Sequence, residues 1–187
     1  MKVYQTGFPG VCLIEPQVLT DPRGFFMETW QAERYRQVHI PGPFVQDNYS
    51  YSTRAVLRGL HYQLKHPQGK LVSVLQGEVF DVAVDIRRGS PTFGGWMGEF
   101  LSGDNHRQLY IPPGFAHGFC VLSEAAHFFY KCTDFYAVGD EYGLRWDDPA
   151  LNIDWPVPEP LLSEKDRHYP TLATLPPEYL PVFEVSP

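Results

Sequence analysis

Of the seven histidines in the chain, two lie inside runs dense in glycine and strand-forming residues: His61 in Leu57-Arg-Gly-Leu-His-Tyr-Gln63 and His117 in Ile111-Pro-Pro-Gly-Phe-Ala-His-Gly-Phe119. An isolated histidine is more often a satisfied core or surface residue than a reactive one, and His39, His66, His106, His127 and His168 are read that way. His61 is different. Arg58 precedes it by three positions and Lys70 opens the next apolar run, so several polar groups can converge in one concave site. Such a cluster suits either metal ligation, which needs three or four N/O/S ligands, or proton transfer by a general acid and base. Cys12, Cys120 and Cys132 show no C-x-x-C spacing and are odd in number, so they suggest neither a thiolate metal site nor a disulfide framework. They are expected to be buried and reduced.

The elements that must position these groups read as short strands. Phe80-Asp-Val-Ala-Val-Asp-Ile86 is apolar at 80, 82, 84 and 86, the pattern of a strand with one buried face. Lys70-Leu-Val-Ser-Val-Leu75 precedes it, and Gln76-Gly77 between the two runs predicts a hairpin. Further strands are expected at 11–14, 24–30, 57–63, 96–101, 108–111, 118–122 and 127–136. Spacings of about ten residues indicate a sandwich or barrel. Helical signal is confined to about two turns over 31–38 and a short turn near Ser163. The last 39 residues hold 9 of the 18 prolines, which predicts an irregular tail wrapped over the barrel. The expected fold is all-β, a jelly roll with short helices and a Pro-rich C-terminal segment.

With 187 residues, the chain is expected to form one domain spanning 1–187. Its 43% hydrophobic and 15% aromatic content excludes intrinsic disorder. A net charge of -7 argues against a nucleic-acid or anionic-membrane surface. That charge is uneven: residues 1–132 hold 12 basic and 11 acidic side chains, and residues 133–187 hold 3 and 11. An anionic ligand therefore needs a local cationic pocket, and the near-neutral part can supply one. No signal core or apolar stretch of membrane-spanning length is visible, so a cytoplasmic protein is expected.

Pro112-x-Gly-x-x-His117 resembles the second histidine motif of the cupin jelly roll, but the first motif, His61-Tyr-Gln63, lacks the second histidine of H-x-H. A metal-free cupin is the favoured reading, leaving the work to a general acid and base. A more specific resemblance comes from motifs occurring in order: Asp21-Pro-Arg-Gly-Phe-Phe26, Phe44-Val-Gln-Asp-Asn48, Val56-Leu-Arg-Gly-Leu-His61, Gln68-Gly-Lys70 and Gly77 to Arg87. Ser90-Pro-Thr-Phe-Gly94, Arg107 to Pro112, Gly114 to Phe119, Phe129-Tyr-Lys131 and Leu162-Ser-Glu-Lys-Asp166 extend it. Together they resemble the dTDP-4-dehydrorhamnose 3,5-epimerases from about residue 3 to about residue 170.

That resemblance implies a cofactor-free, metal-free homodimeric isomerase. Its substrate would be dTDP-4-dehydro-6-deoxy-D-glucose, epimerised next to the 4-keto group at carbons 3 and 5 on the route to dTDP-L-rhamnose. It further implies that His61 is the base, Asp166 its orienting carboxylate, Tyr130 the proton donor and Lys70 the cation facing the developing oxyanion. For substrate binding it implies Arg23, Phe26, Glu28, Gln46, Asp47, Asn48, Arg58, Lys70, His117, Tyr136, Glu141 and Lys165. Arg23 and Glu28 are expected to act across a domain-exchanged dimer. The chain departs from the family at Tyr62, in the Leu64-Lys-His-Pro67 loop and at Phe135. Relatives that epimerise a single carbon, and a non-catalytic sugar-nucleotide-binding cupin, are the competing readings on the same fold.

Overall fold

The protein is described by a computed structural model covering residues 1–184. The strands, in chain order, are β1 (Lys2–Gln5), β2 (Cys12–Glu15), β3 (Val18–Asp21), β4 (Gly24–Met27), β5 (Gln46–Thr53), β6 (Leu57–Gln63) and β7 (Lys70–Gln76). They continue with β8 (Glu78–Asp85), β9 (Trp96–Ser102), β10 (Gln108–Ile111), β11 (Phe115–Val121), β12 (Ala125–Cys132) and β13 (Glu141–Gly143). Helix α1 (Ala32–Gln37) follows β4, and α2 (Glu164–Arg167) lies in the tail. One sheet runs β1-β2-β10-β7-β12-β5, the facing one β13-β6-β11-β8-β9, and β3 pairs with β4 in a separate two-stranded ribbon. All these pairs are antiparallel. No helix among the described residues is long and apolar enough to cross a membrane. The three cysteines are buried and free.

The two sheets close over a core in which Val72, Val74 and Phe128 meet Val79, Ala83, Phe119 and Val121. Phe119 and Phe128 stack with centroids 4.0 Å apart, one ring from each sheet. Burying an aromatic of this size contributes about 2–3 kcal/mol.

Two expectations need correction. β7 and β8 do not form a hairpin, since they belong to different sheets. Gly77, at φ +84°, is where the chain turns from one sheet to the other, and a Cβ there would lie 2.1 Å from the Ala125 carbonyl oxygen. The Gln-Gly pair marked a corner rather than a two-residue turn. Nor does β8 have a single buried face, because every residue from Val79 to Asp85 is buried. Val79 and Ala83 face the barrel core, while Phe80, Val82 and Val84 pack outward with Leu144, Leu151, Leu175 and Leu180. The tail covers the apolar outer face, so the polar-looking positions point inward. Asp81 and Asp85 are thus fully buried, Asp81 against His117 and Asp85 against Arg87, Ser90 and Thr92.

The tail is largely irregular, with single 3-10 turns at Leu172–Thr174 and Pro177–Tyr179. Most strand bounds differ from expectation by a few residues. The larger shifts begin β11 at Phe115, which puts His117 within a strand, and end β12 at Cys132. β1, β3, β5 and β13 are not among the expected strands, and in β5 the alternating tyrosines 49 and 51 lie on the exposed face.

Candidate active site

His61 and His117 are direct cross-strand neighbours on β6 and β11, in the sheet facing Lys70 and Tyr130. Lys70 lies on β7, paired with Cys132, while Tyr130 on β12 pairs with Val72 on one side and Asn48 on the other. These pairings place Lys70, Tyr130 and Asn48 on the same inward face, because side chains alternate along a strand. A cavity of about 480 Å³ opens between the sheets, lined by all five of these residues together with Arg58, Lys165 and Asp166.

Asp166 reaches the cavity from α2, whose first turn is capped by the Ser163 hydroxyl accepting from the Asp166 amide at 3.1 Å. The carboxylate is 3% exposed, and its Oδ1 lies 2.5 Å from His61 Nε2. Burial pushes this carboxyl up, but the hydrogen bond and charge of His61, with Lys165 nearby, hold it below the usual carboxylate range. As a carboxylate it accepts a hydrogen bond from His61 Nε2–H, an arrangement that in the neutral ring puts the lone pair on Nδ1. Glu141 Oε1 stands 3.6 Å from that Nδ1, while Glu141 Oε2 binds Lys165 Nζ at 2.8 Å and accepts from the Tyr136 hydroxyl at 3.3 Å. The Tyr169 ring meets His61 edge-on at 5.7 Å.

Burial pushes the Tyr130 hydroxyl up to about 12, so the phenol keeps its proton throughout the neutral range. Lys70 is held below its ordinary value by burial, with Cys132, Asp81 and Glu141 pulling the other way. Burial also lowers His117, against the attraction of Asp81. Its Nε2 lies 3.0 and 2.9 Å from the two Asp81 oxygens, to which it donates. Arg58 Nε donates to Ser52 Oγ at 3.0 Å.

Other expected binding residues fall elsewhere. Gln46 borders the site, donating to Asn48 and accepting from the Tyr136 amide. Asp47 faces the opposite side of the sheet and pairs with Lys131 at 3.0 Å. Arg23, Phe26 and Glu28 lie on or just after the β3–β4 hairpin, outside the cavity of their own chain. There Arg23 pairs with Asp21, Glu28 pairs with Arg34, and Phe26 is 70% exposed. Sequence reasoning missed Asp81, Tyr169, Ser50 and Ser52. Asp81 was hidden by the alternation of its own strand, and the two serines by lying on the polar inner face of β5, a strand not expected from the sequence. Among the described residues no group of three or more His, Cys, Asp or Glu is placed to hold a metal ion.

Residues 5–174 match the family model described as dTDP-4-dehydrorhamnose 3,5-epimerase. A protein of that name from Pseudomonas aeruginosa is 58% identical over 169 residues, covering 89% of this chain and 93% of that one. Another from Shigella flexneri is 56% identical over 168 residues, with 89% and 93% covered. Among solved structures, a dTDP-6-deoxy-D-glucose-3,5-epimerase from Legionella pneumophila, in complex with dTDP-4-keto-L-rhamnose, is 53% identical. It superposes with a TM-score of 0.96, covering 98% of this chain and 99% of that one. The family match extends through both histidine strands and the helix that brings Asp166 to His61: the chain belongs to the dTDP-4-dehydrorhamnose 3,5-epimerase family.

Proposed function

We propose that the chain converts dTDP-4-dehydro-6-deoxy-D-glucose to dTDP-4-dehydro-L-rhamnose by removing and returning protons at carbons 3 and 5. The observation that carries this reading is the 2.5 Å contact of His61 with the buried Asp166, inside a cavity also lined by Lys70 and Tyr130. The 4-keto group acidifies the hydrogens on both neighbouring carbons. His61 Nδ1 takes a proton, and Asp166 holds the ring in orientation and balances the imidazolium that forms. Lys70 faces the enolate oxygen, where a fixed cation in a water-poor cavity is strongly effective. Tyr130 returns a proton from the opposite face, its raised value keeping it protonated until the enolate draws on it. Arg58, Lys165, Asn48 and His117 hold the rest of the nucleotide sugar.

Incubation with dTDP-4-dehydro-6-deoxy-D-glucose in deuterated buffer, without added metal, is expected to introduce deuterium at both carbons, read by NMR. Uptake at one carbon alone would identify a single-carbon epimerase. A relative named dTDP-4-dehydrorhamnose 3-epimerase, from Streptomyces niveus, is 40% identical. Tight binding with no exchange would identify a non-catalytic sugar-nucleotide-binding protein.

The working unit in this reading is a homodimer of single-domain chains. Among the described residues the β3–β4 hairpin pairs with no other strand, and it exposes Leu19, Phe25 and Phe26. Inserted into a second copy, it would bring Arg23, Phe26 and Glu28 to that copy's cavity. Mixing an Arg23→Ala chain with a His61→Asn chain is then expected to restore about a quarter of wild-type activity, since half the dimers are mixed and each has one intact site. Activity no higher than either variant alone would rule out a site shared across the dimer.

A further inference from the structure

Along β5, residues 46, 48, 50 and 52 are half-buried or buried while their neighbours 47, 49, 51 and 53 are exposed, so Asn48, Ser50 and Ser52 form a polar row on the inner face. Two of the three are occupied within the chain. Asn48 accepts from Gln46 at 3.0 Å and donates to the Cys132 sulfur at 3.5 Å, and Ser52 accepts from Arg58 Nε. Ser50 is different: its Oγ is shielded from solvent and has no hydrogen-bond partner among the described residues, although the residue lines the cavity. Leaving a buried hydroxyl unpaired is costly, and a ligand group is the natural partner.

The neighbouring arginine indicates what kind of group that is. Arg87 and Arg107 are each committed to a carboxylate, whereas Arg58 forms no ion pair among the described residues. With Nε tied to Ser52, both Nη groups remain for a ligand, in the fork geometry that matches two oxygens of one phosphoryl group. Ser50 is two positions from Ser52 on the same strand face, roughly 7 Å away. Ser52 therefore sets where the fork points, and Ser50 stands beside it in the same cavity.

We infer that Ser50 is a further substrate-binding residue, donating its hydroxyl to a phosphoryl oxygen of the diphosphate that Arg58 grips, and that Ser52 is a positioning residue for Arg58. The inference rests on the dTDP-sugar reading above. Calorimetric titration with dTDP, and with thymidine as the phosphate-free probe, separates the two. Ser50→Ala is expected to weaken dTDP about tenfold, the effect of losing one hydrogen bond to a charged group, and to leave thymidine affinity within twofold. Its KM for the nucleotide sugar rises by a similar factor, more than kcat falls. Ser52→Ala is expected to weaken dTDP several-fold in the wild-type background and to have no effect once Arg58 is alanine, because its action passes through that side chain. Ser52→Thr, which keeps the hydroxyl, restores binding. Equal dTDP affinity in wild type and Ser50→Ala overturns the Ser50 assignment, and additive effects of the Ser52 and Arg58 substitutions overturn the positioning role. Wild-type protein that binds no dTDP overturns the functional reading itself.

Discussion

Replacing His61 with asparagine is expected to lower deuterium exchange at both carbons by about two to four orders of magnitude, the usual contribution of a positioned general base. Asparagine is close to histidine in reach and can still hydrogen-bond Asp166, which the Ser163-capped tail helix holds in place. The fold is thus retained while the basic nitrogen is lost, and a thermal melt within a few degrees of wild type checks this. One base serving both carbons predicts that both exchanges fall together. Tyr130→Phe makes the contrast: the ring still fills its place beside Phe128, at 5.9 Å, but no longer carries a transferable proton. Exchange by that variant is expected to persist better than formation of the doubly epimerised product. Full double epimerisation by His61→Asn would remove the base assignment.

The second large effect is expected at Lys70. Replacing it with methionine keeps an unbranched apolar side chain of similar length and removes the cation proposed to face the developing oxyanion, so kcat/KM is expected to fall by about a hundred- to a thousandfold. A pH profile tests the cause. Burial holds the Lys70 ammonium below its ordinary value. The charged form is present below that lowered value and is lost as pH rises through it, so activity should decline on the alkaline side earlier than an ordinary lysine would dictate. Tyr130 cannot produce this limb, because its proton is held to about 12. The residual activity of Lys70→Met should lack the early decline. A variant with the wild-type alkaline limb would show that another group carries it.

The parts of the site legible in the sequence were those with a local signature. His61 and Arg58 lie within one strand whose bounds were read correctly, 57–63, and Lys70 opens another at its expected position. The expected helix at 31–38 appears as α1, and the short turn near Ser163 as α2. Less legible was anything that depends on which face of a strand meets which neighbour. The alternation at 80, 82, 84 and 86 correctly marks a strand but says nothing of what covers each face. The apolar residues pack under the tail, and Asp81 is turned toward the barrel interior, where His117 satisfies it. β5 escaped notice because its inner face is polar where it borders the cavity, and its tyrosines at 49 and 51 face outward.

Residue order by itself determined an all-β chain, the ten ordered motifs, and a near-neutral stretch that holds the cations of an otherwise acidic protein. Those properties are set by residue types and spacings along a few turns or strands, where local geometry is the same in every context. The tertiary structure decided that residues 61 and 166, 105 positions apart, lie 2.5 Å from each other. It also decided that β7 and β8 part into separate sheets at Gly77. Contacts of that range depend on how sheets stack and where the tail is laid down, and no periodicity within a single segment records them.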